Sequence, residues 1–438
     1  EKAIKKIKDF KPSVVGYSVY TGEQAHYINF NKILKKELSV ISVFGGIHPT
    51  FFPEIIEEDE GIDAICRGEG ELAFIEFLDK VKKNNDLPEH TNNFWIRKDG
   101  NIFKNDVMPF VKQLDSLGFP DREVFYEIEP FLRDFGIKNF MAHRGCPFSC
   151  TYCFNHKLNE LYKYKDIYRS RTPEHVIEEI IKVRSESRLE QLNFYDDLFT
   201  LDKNWFMQFA KLYKKEVALP YSINIRFDDF SEEVAKVLKD SGCYFVTAGI
   251  ESGTDFVRNQ LMKRKMNRET ILTASEILKK YSIRLYTENI IGLPGENYVM
   301  AKETLKINTV VRPDYANCSI FYPYPRTELF NYAIEKGYYK ISEVSGESYM
   351  RSSTLKFDDP KDKNRIENLR CFFSFLTQHP YLINIFEKLF LNLKNNFLFW
   401  RFGDIADTFY HRKFIGFKIN YTRLIYLFKI GCLYIKGR

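Results

Sequence analysis

The stretch that decides the fold reads NFMAHRGCPFSCTYCFNH and spans residues 139–156. It opens with a short apolar segment that predicts a strand. A loop with the spacing C-x3-C-x2-C follows, and it carries Cys146, Cys150 and Cys153. Thiolates this close repel one another unless a positive centre offsets their charge. The motif therefore predicts a metal site, either a [4Fe–4S] cluster with one iron free of protein ligands or a structural zinc ion that also takes His156.

The chain after this motif alternates predicted strands and helices. Thr172 and Ser231 are N-cap candidates that mark the starts of two helices. Six β/α units predict a partial (β/α)6 barrel of the TIM type over residues 139–345, and such barrels carry their chemistry at the carboxyl ends of the strands. The predicted strands are 139–144, 191–196, 221–226, 244–250, 284–291 and 315–321.

The rest of the chain divides into three parts. Residues 1–115 alternate short apolar strands with helices, which predicts a Rossmann-like domain with a parallel sheet and, at Asp99-Gly100, a small hairpin. Residues 116–138 are interrupted by glycine and proline and are interpreted as a linker. Residues 346–438 have few turn signals and predict a mostly helical region. The predicted fold class is therefore α/β with a helical C-terminal region.

Composition excludes several classes of protein. The 438 residues are 44% hydrophobic, which supplies large cores and excludes a disordered chain. No stretch reaches the roughly 18 uninterrupted apolar residues that a membrane-spanning helix needs. Eight cysteines are too few for a disulfide scaffold, and three of them share one motif, which predicts a reducing cytoplasm. No signal peptide is visible in the sequence, which opens on Glu1.

The positive charge is concentrated in a tail, residues 371–438, which holds ten Lys or Arg and three Asp or Glu. The whole chain carries a net charge of +6, so residues 1–370 sum to −1. The favoured interpretation is a helical cap on the barrel, with exposed basic residues for solubility. The alternative is contact with an anionic partner, either a phosphate-bearing substrate or a membrane surface. Nucleic acid is disfavoured because no recognised binding module is present.

The cysteine spacing, with aromatic Tyr152 before the third cysteine and the loop placed after the first of six strands, resembles the radical S-adenosylmethionine (SAM) superfamily. The resemblance implies a [4Fe–4S] cluster on Cys146, Cys150 and Cys153, with SAM bound at the open iron. It further implies one-electron cleavage of SAM to methionine and a 5′-deoxyadenosyl radical. Because further family positions follow successive strands, the cluster is favoured over zinc.

The resemblance also implies which residues contact SAM. Alternative structural roles are open for several of them, since the Asp pair fits a helix cap, Glu251 fits a surface position and Gly292 fits a turn. Arg326 stands where relatives often carry Pro-Gly-Thr, and this departure concerns how its loop meets the substrate. The implied SAM contacts are Tyr152, Asp196, Asp197, Arg226, Glu251, Ser252 and Gly292.

Ser18-Val19-Tyr20 is followed by 24 residues and then by Gly45-Gly46. This spacing resembles part of the cobalamin (B12)-binding signature found in domains attached to radical SAM enzymes. The signature opens with Asp-x-His-x-x-Gly, which here would fall ahead of residue 1. We therefore expect an N-terminally incomplete domain whose sheet lacks a strand. The alternative is a Rossmann-like domain without a ligand. The implied cobalamin contacts are Ser18, Gly45, Gly46, His48, Gly68 and Glu69.

Together the two resemblances imply a cobalamin-dependent radical SAM enzyme, with methylation of an unactivated carbon as the expected reaction. Cyclisation or rearrangement is the alternative within enzymes, and a zinc-stabilised binding protein without catalysis is the alternative outside them. A methylthiotransferase is disfavoured because only Cys66 precedes the motif. The expected partners are a small-molecule, lipid or peptide substrate and an external electron donor. The expected location is the cytoplasm, with membrane association through 371–438.

The two sets of motifs follow strands, so both are expected at carboxyl ends of sheets. A methyl group and a hydrogen atom must be exchanged at one substrate carbon. We therefore expect the carboxyl edge of the first sheet, with Gly45 and Gly46, to pack against the barrel face that holds the three cysteines.

Overall fold

The protein is described by a computed structural model that covers residues 2–163, 167–340 and 351–415. Its N-terminal domain is a five-stranded sheet with helices packed against it. The strands are β1 (Val14–Ser18), β2 (Ile41–Gly45), β3 (Ala64–Cys66), β4 (Phe94–Lys98) and β5 (Asn101–Lys104). The helices are α1 (Lys2–Phe10), α2 (Gln24–Glu37), α3 (Ile47–Phe51), α4 (Ile55–Glu58) and α5 (Glu71–Asn84).

The five strands pair in chain order, with β1, β2 and β3 parallel and β4 and β5 antiparallel. Helices cross between the parallel strands, as the Rossmann-like prediction requires. The antiparallel pair is the predicted hairpin. Asp99 and Gly100 both have positive φ, 49° and 76°, which is the geometry of a type I′ turn.

Two short helices, α6 (Glu123–Ile128) and α7 (Phe131–Asp134), lie in the connection that leads to the barrel. The barrel strands are β6 (Ile137–Phe140), β7 (His143–Arg144), β8 (Arg169–Ser170), β9 (Gln191–Phe194), β10 (Tyr221–Ile225), β11 (Cys243–Glu251), β12 (Arg284–Ile291), β13 (Tyr315–Ala316) and β14 (Ser319–Ile320). The barrel helices are α8 (Asn155–Tyr162), α9 (Pro173–Glu186), α10 (Lys203–Glu216), α11 (Glu232–Ser241), α12 (Arg268–Lys280), α13 (Tyr298–Val311) and α14 (Glu328–Glu335).

The main barrel sheet runs β6-β9-β10-β11-β12-β13 with every pair parallel, and β14 continues beside β12. These strands confirm the six predicted ones, although 139–144 divides into β6 and β7 and 315–321 into β13 and β14. Thr172 and Ser231 accept hydrogen bonds from the third residue of their helices, which confirms both predicted N-caps. The domain boundaries proposed from the sequence stay predictions.

The C-terminal region is helical, as expected, with α15 (Pro360–Gln378), α16 (Ile383–Leu389) and α17 (Phe397–Ile415). Apolar residues of α15 share a core with α13 and the last barrel strands. At the end of α17, Phe414 packs against Phe245 and Tyr315 of the barrel. No helix of the described residues is long and apolar enough to cross a membrane. Of the basic tail, residues 416–438 lie outside the described residues.

Candidate active site

The carboxyl ends of the barrel strands surround a cavity of about 550 Å³. All three cysteines of the C-x3-C-x2-C loop line it. Four further residues that the sequence singled out line it too, each from a different part of the barrel: Tyr152, Asp197, Arg226 and Glu251. The fold therefore brings the cysteine loop and groups from three different strand ends to one place.

The three thiols have the properties of a cluster site. The pKa of Cys146 is raised to about 11 and that of Cys153 to about 12, mainly by burial and in smaller part by the nearby Cys150. A cation is therefore needed to hold these thiols as thiolates. A cuboidal cluster takes each thiolate on a different iron, so three cysteines on one loop fit a [4Fe–4S] cluster that keeps one iron free of protein ligands.

Tyr152 connects the cysteine loop to β11. Its hydroxyl donates to Glu251 Oε1 at 3.1 Å, and Arg264 Nη1 donates to Tyr152 Oη at 2.9 Å and to Glu251 Oε1 at 3.2 Å. Burial raises the pKa of Glu251, and the charge of Arg264 opposes that rise. The three side chains form one buried hydrogen-bonded unit in which the guanidinium offsets the carboxylate.

The backbone of Glu251 is unusual as well. Its φ is +63°, and the pairing of β11 with β12 slips between Gly249 and Glu251. A bulge at a strand end re-aims a side chain, and strained non-glycine residues cluster at functional sites. The surface position considered for Glu251 is wrong, because its side chain is buried and faces the cavity.

The structure separates the two carboxylates of the Asp196-Asp197 pair. Asp196 is buried, and its Oδ1 accepts hydrogen bonds from the backbone N–H groups of Ala142 and His143 and from His143 Nδ1. Its Oδ1 therefore ties the end of β9 to the chain entering the cysteine loop. Among the described residues its Oδ2 has no hydrogen-bond partner, and its contact with SAM stays a prediction. Asp197 lines the cavity, where burial raises its pKa and a hydrogen bond from Asn155 opposes that rise.

Arg226, at the end of β10, lies over the ring of Phe148 in the cysteine loop at 3.8 Å. Its guanidinium also donates to both carboxylate oxygens of Asp228, at 2.9 and 2.7 Å, and to the carbonyl of Arg264 at 2.9 Å. The charge of Arg226 is therefore already paired within the protein. Its contact with Phe148 holds the cysteine loop against the strand end.

Two of the predicted SAM contacts, Ser252 and Gly292, do not line the cavity, and their contact with SAM stays a prediction. Ser252 is fully buried, and its carbonyl accepts a hydrogen bond from Arg258 Nη1 at 2.7 Å. Gly292 begins a turn in which its N–H donates to Glu296 Oε2 at 2.5 Å, and a Cβ there would meet Ile366 at 3.4 Å. Its φ of +76° favours glycine, so the turn interpretation of Gly292 fits.

Three of the cavity residues that sequence reasoning missed carry ionisable side chains with a resolved role or pKa shift: Arg264, Glu288 and His411. Arg264 follows a π-helical turn (Phe256–Leu261) and belongs to no motif beyond a short basic run. Glu288 of β12 accepts a hydrogen bond from Asn317 at 2.8 Å, and burial raises its pKa to about 6. His411 reaches the cavity from α17, and burial lowers its pKa. Glu288 had a detectable signal, since it points inward near the end of a predicted strand, but nothing local marks His411.

An open groove of about 430 Å³ follows the carboxyl ends of β1, β2 and β3 in the N-terminal domain. Ser18 lines it, and so do five residues without a Cβ: Gly16, Gly45, Gly46, Gly68 and Gly70. A Cβ at Gly45 would meet protein only at 3.8 Å and so would occupy open groove. Gly46 has a φ of +94°, and a Cβ there would lie 2.9 Å from the nitrogen of Val19. A floor of bare backbone fits a large ligand such as cobalamin.

Two predicted cobalamin contacts do not line this groove. His48 is buried and stacks on Phe52 at 4.9 Å, and burial lowers its pKa to about 4. The carboxylate of Glu69 forms ion pairs with Arg169 at 2.7 Å and Arg144 at 3.2 Å, both of them barrel residues. Both side chains are therefore engaged within the protein, and the contact of His48 and Glu69 with cobalamin stays a prediction.

Comparison with known proteins agrees with these features. Residues 141–307 match the family model of the radical SAM superfamily, and residues 1–78 match that of the B12 binding domain. An uncharacterized methyltransferase of Pyrococcus horikoshii is 31% identical over 75% of this chain and 71% of its own length. This chain belongs to the B12-binding radical SAM family.

Two further proteins are similar to this radical SAM enzyme at lower sequence identity. The anaerobic magnesium-protoporphyrin IX monomethyl ester cyclase of Rubrivivax gelatinosus is 27% identical over 86% of the chain and 69% of its own length. The solved structure of OxsB, a cobalamin-dependent SAM radical enzyme with aqua-cobalamin bound, has a TM-score of 0.67 at 17% identity, covering 94% of this chain and 65% of that one. The latter likeness shows a shared fold. The cofactors of this family member are a [4Fe–4S] cluster, SAM and cobalamin.

The two cofactor regions of this B12-binding radical SAM enzyme lie in domains that pack directly on each other. The N–H of Glu69 donates to Tyr162 Oη at 2.6 Å, and Phe51 stacks on Phe154 at 4.9 Å, one residue past the last cysteine of the loop. Arg326 donates to the carbonyl of Phe51 and forms an ion pair with Glu54 at 2.9 Å. The carboxyl edge of the first sheet therefore meets the cysteine end of the barrel, as expected.

Proposed function

We propose that this radical SAM enzyme is a cobalamin-dependent methyltransferase that methylates an unactivated carbon of a small-molecule substrate. The observation that carries the proposal is the packing of the domain with the glycine-lined groove onto the loop with the three thiols. Group transfer requires reacting atoms to approach within about 3–3.5 Å, so both cofactors must serve one substrate position. The name of the Pyrococcus relative, a methyltransferase, supports the same reaction.

In this proposal Cys146, Cys150 and Cys153 bind the cluster. When bound, the cofactors supply a radical that removes a hydrogen atom from the substrate and a methyl group that replaces it. The residues of the chain bind and orient the reactants and exclude water. Four of the SAM contacts predicted from the sequence keep that role in the proposal because they line the cavity: Tyr152, Asp197, Arg226 and Glu251. Arg226 also holds the cysteine loop in place through Phe148.

Asp197 is the proposed acceptor for the ammonium group of SAM. It lines the cysteine cavity, and it accepts a hydrogen bond from the neutral side chain of Asn155. An ammonium group would supply the missing positive charge and return the carboxylate to its ordinary ionisation. Glu251 differs, since Arg264 already neutralises it, so Glu251 and Tyr152 would contact SAM through hydrogen bonds alone.

The proposed cobalamin contacts are Ser18, Gly45, Gly46 and Gly68, which share the groove. Cyclisation is the second candidate reaction, because the Rubrivivax relative is named as a cyclase. Product mass separates the two reactions, since methylation adds one CH2 to the substrate and ring closure by hydrogen loss does not.

We further propose an external one-electron donor and a reducing, cytoplasmic location. All seven cysteines of the described residues are free thiols, which is typical of such a compartment. The substrate is proposed to be a small molecule, since the cavity beside the cysteines has a volume of about 550 Å³. A lipid or peptide with a small reacting group is also compatible with this cavity.

The test is anaerobic reconstitution with iron and sulfide, followed by reduction with dithionite in the presence of SAM. The native chain is expected to release 5′-deoxyadenosine, and Cys150→Ala is expected to release none, because two thiolates cannot hold a cluster with one open iron. Cys243→Ala is the matched control, since Cys243 is buried at the start of β11 and does not line the cavity. Release of 5′-deoxyadenosine by Cys150→Ala would overturn the cluster assignment.

A further inference from the structure

An exposed apolar surface covers the outer side of the C-terminal helices. On α17 it consists of one stripe with the spacing of a helix face: Leu398 (74% exposed), Phe402 (37%), Ile405 (69%) and Phe409 (60%). On and next to α16, Tyr381, Ile385 and Leu389 repeat at every fourth residue and are also exposed. We call these seven residues the helical surface.

The opposite sides of the same helices are tightly packed. Gly403 of α17 approaches α15 so closely that a Cβ would lie 2.8 Å from the carbonyl oxygen of Cys371. Phe386 of α16 and Phe399 of α17 both contact Phe372 of α15, with ring centroids 5.0 and 5.1 Å apart. Both outer helices therefore pack on α15 with one side, and their exposed stripes lie on the sides turned away from it.

Acidic and basic side chains around the helical surface differ in their exposure and in their ion pairs. Glu387 pairs with Lys302, and Asp407 pairs with Arg370, so these two acids are bound toward the protein. Asp404 is the third acid of the region, and it is partly buried. Five bases are exposed, and within the described residues none of them forms an ion pair: Lys388, Lys394, Arg401, Arg412 and Lys413.

We propose that the helical surface docks on an anionic lipid membrane, with its apolar side chains at the level of the acyl-chain boundary and its bases on the headgroups. A helix that combines a basic rim with Phe, Leu and Ile on one face is the form that lies in a membrane interface. Anionic headgroups attract each such base by roughly 1 kcal/mol. The proposal does not depend on which reaction the barrel catalyses.

Charge also argues against two other occupants. Residues 416–438 follow α17 directly and contain five Lys or Arg and no Asp or Glu. That segment, like a second copy of the same face, would bring positive charge onto an already basic surface. An anionic membrane instead complements both the helical surface and residues 416–438, which would add to the attraction.

The test is co-sedimentation of the full chain with vesicles of phosphatidylcholine and phosphatidylglycerol in equal parts, compared with phosphatidylcholine alone. We expect binding to the anionic vesicles, and weaker binding as salt is added. Leu398→Ser/Ile405→Ser should weaken this binding at least tenfold, because it removes two apolar anchors. Arg401→Gln/Lys413→Gln should weaken it by about fivefold for each charge removed.

The matched control is Ile75→Ser/Val299→Ser, which removes two similarly exposed apolar residues elsewhere on the protein. It should bind vesicles like the native chain, and thermal melts followed by circular dichroism should show that all variants are folded. An equal loss in this control, or no binding of the native chain to anionic vesicles, would overturn the proposal. A native chain that is dimeric, and whose dimer dissociates in Leu398→Ser/Ile405→Ser, would also overturn the proposal, because the helical surface would then be a dimer interface.

Discussion

The barrel cavity and the groove of the N-terminal domain are built in opposite ways. The cavity is lined by charged and polar side chains with fixed partners, such as Glu251 with Arg264 and Arg226 with Asp228. The groove has five glycines among its eleven lining residues, so main chain forms a large part of its wall. One site recognises its ligand through directed side chains, and the other makes room for it.

This difference matches the sizes of the two organic cofactors. SAM is a small ion whose ammonium and carboxylate can each be met by one side chain. Cobalamin is a large macrocycle with a long tail, and side chains at the groove would keep it from the strands. We therefore expect changes in the cavity to act through charge and changes in the groove to act through added volume.

The largest effect on stability is expected from breaking the buried ion pair of the cavity. Arg264→Leu should lower the free energy of unfolding by about 3–5 kcal/mol, because it leaves Glu251 buried without its cation. Adding Glu251→Gln to Arg264→Leu should recover part of the loss. Urea denaturation measures both. The control is Lys263→Leu, an exposed neighbour paired with Glu328, for which about 1 kcal/mol or less is expected.

Added volume in the groove should act on cobalamin instead of on folding. Gly45→Val should weaken cobalamin binding at least tenfold, because the new side chain would enter open groove. Its thermal melting should stay close to that of the native chain. Absorbance titration with cobalamin measures the affinity. Gly118→Val, at a linker glycine with no protein atom near its missing Cβ, is the control; normal affinity in Gly45→Val would place cobalamin elsewhere.

A smaller effect, confined to a pH window, is expected from Glu288. Burial raises its pKa to about 6, and the nearby Glu251 raises it as well, so the folded protein holds a proton that the unfolded chain has lost. Stability should therefore fall as pH rises from about 4.5 to about 6 and lose no more above that. Glu288→Gln should remove this fall and gain about 1–2 kcal/mol above pH 6. Denaturation at several pH values, with exposed Glu178→Gln as control, tests the sign.

The smallest effect is expected at the interface that joins the two regions. Burial alone would raise the pKa of Glu69, but hydrogen bonds and charge from Arg169 and Arg144 bring it below its ordinary value. The contact is therefore complete at neutral pH, and its contribution is lost only as pH falls below the ordinary range of a glutamate carboxyl, through the lowered pKa of Glu69. Glu69→Gln should weaken it by about 1 kcal/mol. Faster proteolysis of the connection would reveal the loosened domains, and equal rates would show that the contact contributes little. The control is Glu76→Gln, which removes an ion pair with Lys80 inside α5.

Local patterns in the sequence determined much of this protein. The spacing of Cys146, Cys150 and Cys153 specified the cluster loop, and alternating apolar segments located the six barrel strands. The Asp99-Gly100 hairpin and the N-caps at Thr172 and Ser231 were also predictable. Each of these features depends on a few neighbouring residues, because strand burial, helix capping and tight turns are short-range effects.

Only the tertiary structure decided which candidate residues reach a site. Asp196 and Asp197 are adjacent and chemically identical, yet one ties two strand ends together and the other lines the cavity. Arg264, Glu288 and His411 enter the cavity from three separate elements, and Glu69 leaves the groove to bind barrel arginines. These outcomes depend on contacts between residues far apart in the chain, and a local pattern does not specify the partner that a buried charge requires.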